Sequence, residues 1–268
     1  MLASVLAKTL YDKRRSFVWW CVGILAFVAL YGAVYPSISG QTSLEKLINS
    51  YPQALKGFIG FGGNLDFISG AGYLGSEVFS FWGPVVLLAA AIAAGSSAIA
   101  GEEERGTLDL LLSLPLSRTR LLLEKLGALV VEVVALGAWL WILLVIVSAA
   151  AGMGVSAWNL GAATLSLVLL ALVFGTISLA IGAATGKRGL AIGLAAALAV
   201  AADVLNALAP LANWLSSAKM ASLYYYYSHG DPLRHGFQGA DTLVLVAAVL
   251  VISAAAPFLL RRRDLSAP

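Results

Sequence analysis

The sequence predicts an all-α integral membrane protein, with six transmembrane helices preceded by an amphipathic interfacial helix. Three observations predict it. Of 268 residues, 60% are hydrophobic and only 12% charged, too few charges to cover the surface of a soluble domain. Apolar runs of about 20 residues, the length that crosses a hydrocarbon core, occur six times: 17–35, 77–100, 121–150, 158–185, 190–211 and 242–260. Thirteen of the seventeen Lys and Arg residues fall on one side of these runs. By the positive-inside rule that side is cytoplasmic and holds both termini. The net charge of +3 is then a topology signal and gives no reason to expect a nucleic-acid partner.

Residues 1–16 place Leu2, Val5, Leu6 and Leu10 on one helical face, with Lys8 and Asp12 elsewhere. This suits a short helix in the cytoplasmic interface, although a frayed tail fits the first few residues equally well. The basic cluster Lys13, Arg14, Arg15 imitates a secretory leader. The run after it is about 19 residues long and ends in no small-x-small cleavage site, which reads as a retained span. Cys21, the single cysteine, lies in that span and allows neither an intramolecular disulfide nor a thiolate cluster.

The loop 37–75 carries two helix-start signatures, Thr42 with Glu45 and Ser50 with Gln53. It reads as short helices on the outer surface, acting either as a packed connector or as a lid. After the second run, residues 101–120 read GEEERGTLDLLLSLPLSRTR. Leu108, Leu111 and Leu112 share a helical face, Thr107 can cap that helix, Pro115 ends it, and Ser117 can cap a second helix carrying Arg118 into the third run. The leucines need a cover, either the membrane surface or a soluble partner's groove.

Charges inside the runs are functional candidates. Glu132 lies about two turns into the third run. Asp203 lies deeper in the fifth, with Asn206 on the same face. These groups either line a polar pathway or subunit interface, or satisfy one another inside the bundle. Between runs four and five, GAATGKRG (182–189) imitates a phosphate loop. Its Gly182–Gly186 spacing is one residue short, and Arg188 replaces the Ser or Thr that would hold magnesium. Lys187 and Arg188 read instead as an inside anchor, and Gly182–Gly186 and Gly189–Gly193 as small-xxx-small packing surfaces.

The second outer loop, 212–241, has Tyr224–Tyr227 in a row with Trp214 nearby, a pattern suited to the headgroup level. His229, Asp231 and His235 lack a fixed common face, and Pro232 interrupts them, so no metal site is read there. Both histidines of the chain lie in this loop, which disfavours a buried hydrolytic triad. No catalytic residue, cofactor site or metal site is assigned.

The run AIAGEEERGTLDLLLSLPLSRTRLLLEKLGA (98–128) resembles the region after the second span of ABC-2 type transporter permeases, where an acidic cluster, a G-T-L-[DE]-L-L stretch and a P-[LIV]-S-R turn recur. Six spans, cytoplasmic termini and an amphipathic N-terminal segment agree with that family. The resemblance implies a single transmembrane domain of the ABC-2, type V-like exporter fold, and makes 101–120 similar to the coupling helix that docks on a separate ATPase. Glu102, Glu103, Glu104, Arg105, Gly106, Thr107, Leu108 and Asp109, with Leu111 and Leu112, would then form the helix and its contacts. Pro115, Ser117 and Arg118 would stand at its exit.

The implied assembly has two ATPase subunits carrying ATP and Mg, and a second permease subunit forming a homodimer or heterodimer in the inner (plasma) membrane. Spans rich in Ala, Leu, Gly and Val suit hydrophobic or amphiphilic cargo, such as drugs or lipids, and the resemblance implies export. The alternatives are a non-transporting membrane scaffold that recruits a soluble partner, and an intramembrane lipid-modifying enzyme using Glu132 or Asp203.

Overall fold

The computed structural model describes residues 4–39, 69–107, 117–209 and 218–261. Its elements are α1 (Val5–Ile38), α2 (Gly70–Ala98), α3 (Ala100–Glu104), α4 (Arg118–Ala150), α5 (Ala157–Thr185), α6 (Arg188–Leu208), a 3₁₀ turn (Ala218–Ala221), α7 (Leu223–Ser228), α8 (Pro232–His235) and α9 (Gly239–Arg261). No strand occurs among the described residues. Helices α1, α2, α4, α5, α6 and α9 are long and apolar enough to cross a membrane. The helices expected from Thr42 and Ser50 lie outside the described residues, as do Leu108, Asp109, Leu111, Leu112 and Pro115.

The first correction concerns the N-terminus. The interfacial segment and the first span are one unbroken helix, not two elements. Ser4 caps it by accepting from the Ala7 amide (3.2 Å). The Glu124 carboxylate of α4 accepts from the Val5 and Leu6 amides (2.7 and 3.2 Å). These bonds satisfy donors that a helix start leaves open. The Lys and Arg residues that mark the edge of the apolar run are good helix formers, so a change in polarity produces no change in backbone.

The second span also starts earlier than expected, at Gly70 rather than residue 77, so Glu77 lies within it. Residues Gly75–Trp82 are wound as a π-helix. The reason lies in Gly83 and Pro84. A Cβ at Gly83 would stand 2.6 Å from the Val78 carbonyl oxygen and 2.9 Å from Leu167, so only glycine fits the wide turn. Pro84 has no amide to donate, which leaves a carbonyl of the preceding turn without its helical partner. The buried Tyr227 hydroxyl, arriving from α7, donates to the Phe79 carbonyl.

Helix α5 forms the centre. It is buried along most of its length and packs against α2, α9, α4 and α6, while α1 packs on α4. A close approach joins α2 and α5, where a Cβ on Gly95 would overlap the Gly175 carbonyl. There the Ser178 hydroxyl donates across to Ile92 O at 3.0 Å. Small residues permit this backbone contact, the packing device available where lipid removes any hydrophobic drive between helices. Helices α1, α6 and α9 bury only narrow strips, and side chains such as Trp19, Leu30, Leu250 and Val251 point outward. That distribution suits a lipid solvent.

Gly186 closes α5 in the left-handed region (φ 67°), its amide bonded to Gly182 O at 2.8 Å. Lys187 then leads directly into α6. Within this GAATGKRG stretch the two glycine pairs differ. Gly182 sits in contact with Ala100 and Ala191, whereas Gly189 and Gly193 face open space. The fifth span ends at Leu208 rather than residue 211. Pro210 follows, and the residue before a proline is disfavoured in a helix.

Candidate functional site at the charged end of the bundle

Residues 101–107, residues 117–120 and the α1 start lie at one end of the bundle, and charges there are joined to one another. After α2, Ile99 departs from helical geometry (φ −116°, ψ −58°) and α3 follows with Glu102, Glu103 and Glu104. Gly106, at φ 65°, stops α3, and its amide bonds to Glu103 O at 2.9 Å. The acidic cluster thus occupies a short helix of its own that closes at Glu104, ahead of Thr107. The Thr107 hydroxyl, assigned in the sequence to capping the next helix, reaches back to the Glu102 carboxylate.

Glu102 is the hub. The buried Lys125 ammonium, on α4, donates to it at 2.7 Å, and Arg105 stands 3.7 Å away. Burial by itself raises the Glu102 carboxyl. The hydrogen bonds from Lys125 and Thr107, with the charges of Lys125 and Arg105, outweigh it and hold the group below the ordinary carboxylate range. Glu104 accepts from the Arg188 amide at 2.8 Å, pinning α3 to the start of α6. Glu103 is half-buried, and Arg105 and Gly106 are exposed. Beyond the undescribed leucines, Ser117 accepts from the Arg120 amide at 3.2 Å, so the cap expected there is present with Arg118 as the first residue of α4.

A second pair lies deeper. Glu132, read as a pathway or interface candidate, is buried and takes Lys13 of α1 at 3.3 Å, while the same ammonium donates to Ala94 O of α2 at 3.2 Å. Three spans therefore meet at one ion pair. A buried charge deprived of its partner is costly, which gives Glu132 a structural assignment. Lys13, Glu124 and Lys125 were counted in the sequence, if at all, only as topology signals. The available cue was that a charge at membrane depth needs an opposite charge at similar depth.

The remaining candidates separate. Asn206 donates to Ser228 at 3.3 Å. Asp203 is exposed on α6, near enough to Tyr224 and Tyr227 that its charge, added to their burial, raises both hydroxyls. His229 pairs with Asp241 at 2.9 Å, His235 with Gly230 O at 3.1 Å and Asp231 with Arg234 at 3.4 Å, so the three residues weighed as metal ligands go to different partners.

Six spans joined at one end around an acidic segment describe a family, and comparison decides which. The model of the ABC-2 family transporter proteins matches residues 3–265, almost the whole chain. The chain belongs to the ABC-2 family. It is thus a multi-pass membrane permease of an ABC transporter, a transport component that works with an ABC ATPase. No curated protein matches it. In this ABC-2 permease the charged end is the structurally distinctive region: α3 is tied to α4 and α6, and α1 to α4 and α2, by contacts that all involve an ionised side chain.

Proposed function

We propose that this permease couples to a separate ATPase subunit through residues 101–120 and exports hydrophobic or amphiphilic small molecules or lipids. Two ATPases and a second permease subunit, identical or related, complete the transporter. It sits in the inner (plasma) membrane with both termini cytoplasmic, a placement supported by the distribution of Lys and Arg. ATP and Mg belong to the partner, and this chain contributes no catalytic residue.

The observation that carries the reading is the Lys125–Glu102 tie at 2.7 Å, with the Glu104–Arg188 contact beside it. The undescribed leucine stretch begins and ends on elements that are themselves linked to α2, α4 and α6. A displacement of that stretch by an ATPase reaches three spans without crossing a slack connection. Each nucleotide state must favour one arrangement of those spans for ATP to drive transport, and a stiff charged frame transmits that preference.

Lys13–Glu132 holds α1 to the same frame. Its pairing also argues against Glu132 as an acid for lipid chemistry, since a carboxylate committed to an ammonium is a poor proton donor. The test is ATP hydrolysis by the reconstituted permease and ATPase in lipid nanodiscs. A transporter shows hydrolysis that rises with added amphiphilic cargo. Hydrolysis indifferent to every amphiphile supplied would favour the scaffold reading.

A further inference from the structure

Between α4 and α5, on the face turned away from the bundle centre, lies a groove of about 620 Å³ lined by Val134, Ala138 and Trp141 of α4, Trp158 and Leu165 of α5, and Phe237. We infer that this groove holds an acyl chain of a bilayer phospholipid as a resident ligand. The proposal goes beyond the export reading, because the lipid is bound at the periphery rather than transported.

The lining decides the chemistry. Of its three side-chain hydrogen-bonding groups, two are already used: Trp141 Nε1 donates to Ala157 O at 3.0 Å, and the Thr164 hydroxyl donates to Leu160 O at 2.7 Å; the third, the Trp158 indole, stands at one end of the groove. Between its ends an occupant therefore meets carbon. Along α5 the groove runs over residues 157–168, about 16 Å at 1.5 Å per residue. That is close to half of a hydrocarbon core about 30 Å thick, one leaflet's share. Its rim residues Val134, Leu165 and Trp158 are exposed, so the groove is open along the bundle's outer side.

The end of the groove matches a headgroup. Trp158 and Phe237 close it where α5 and α9 begin, the level at which aromatic rings favour the interface. Asn159, the next residue after Trp158, donates to the carbonyls of Leu233 and Arg234 (2.9 and 3.3 Å). This fixes the Arg234 backbone next to Asn159, and its guanidinium pairs with the exposed Asp231 carboxylate at 3.4 Å. A paired cation and anion at headgroup level above a hydrocarbon groove one leaflet deep complement a zwitterionic phospholipid, which carries both charges above its chain.

The probe is a phosphatidylcholine bearing a diazirine midway along one acyl chain, mixed with unlabelled phospholipid in nanodiscs containing the full-length chain. Photolysis and peptide mass spectrometry then compare the groove with the outward faces of α1 and α9 around Leu30 and Leu250. Residence predicts about tenfold greater labelling in the groove, the ratio that about 1.4 kcal/mol of preference gives. Ala138→Phe, or independently Leu165→Trp, should fill the groove and bring its labelling down to that of α1 and α9, whose own labelling reports an intact fold. Equal labelling of all three faces in the unmodified chain overturns the proposal, as does enrichment that survives both substitutions. A groove closed to the probe because a second copy covers it also overturns it. None of these results bears on coupling to an ATPase.

Discussion

The two ends of the bundle are held together by different chemistry. At the α3 end, ionised groups bridge helices: Lys13–Glu132, Lys125–Glu102, and the Glu124 and Glu104 carboxylates on backbone amides. Toward the α7–α8 end, the buried bridges are neutral donors on carbonyls: Tyr227 to Phe79, Tyr73 to Tyr31 (3.0 Å) and Ser222 to Ala202 (2.7 Å). The side-chain pairs there, His229–Asp241 and Asp231–Arg234, involve more exposed partners. A bundle that only had to stand in lipid would need the neutral kind alone. Buried charge costs desolvation and returns it only when geometry holds, so the α3 end is the one where losing a partner is most costly.

The comparison breaks first at Lys13–Glu132. Glu132→Ala leaves an ammonium among three spans and should cost about 3 kcal/mol, read as a lower melting temperature in mild detergent. Joining it to Lys13→Met should recover most of the loss, since the double variant strands no charge. At the opposite end, Tyr227→Phe leaves the Phe79 carbonyl without its donor at a cost of about 2 kcal/mol, and this loss should not vary between pH 3 and 7. A variation with pH would mean that the neutral bridges are not the ones acting there.

The smallest expected effect separates the ends by titration. Glu102 is held below its unfolded value, about 4.3, so its stabilisation is complete above that pH and is lost as pH falls through the lower folded value. Stability measured from pH 6 downward should show this loss in the unmodified chain and lack its Glu102 component in Glu102→Gln.

The sequence announced the spans because length and apolarity are sufficient to define them; the observed starts of α4, α5 and α9 fall within three residues of the expected ones. It did not announce that α1 runs unbroken through its basic cluster, since helical backbone continues regardless of polarity. The π-helix was equally hidden. Gly83 and Pro84 read as ordinary span residues until Tyr227 and Leu167 are placed beside them. At the candidate site the acidic cluster stood out, but its partners did not: Lys125 is 23 positions from Glu102, and Lys13 is 119 from Glu132. No spacing rule connects groups that only the packing of α1, α3 and α4 brings together.

The central claim, that the segment beginning with this acidic cluster docks an ATPase, is tested most directly by co-purification. Glu103→Lys combined with Arg105→Glu reverses two charges on α3 and its exit and leaves the Lys125–Glu102 bridge in place. The account predicts a permease inserted in the membrane at normal level that no longer brings its ATPase with it. A variant that retains both the complex and cargo-stimulated ATP hydrolysis would contradict it.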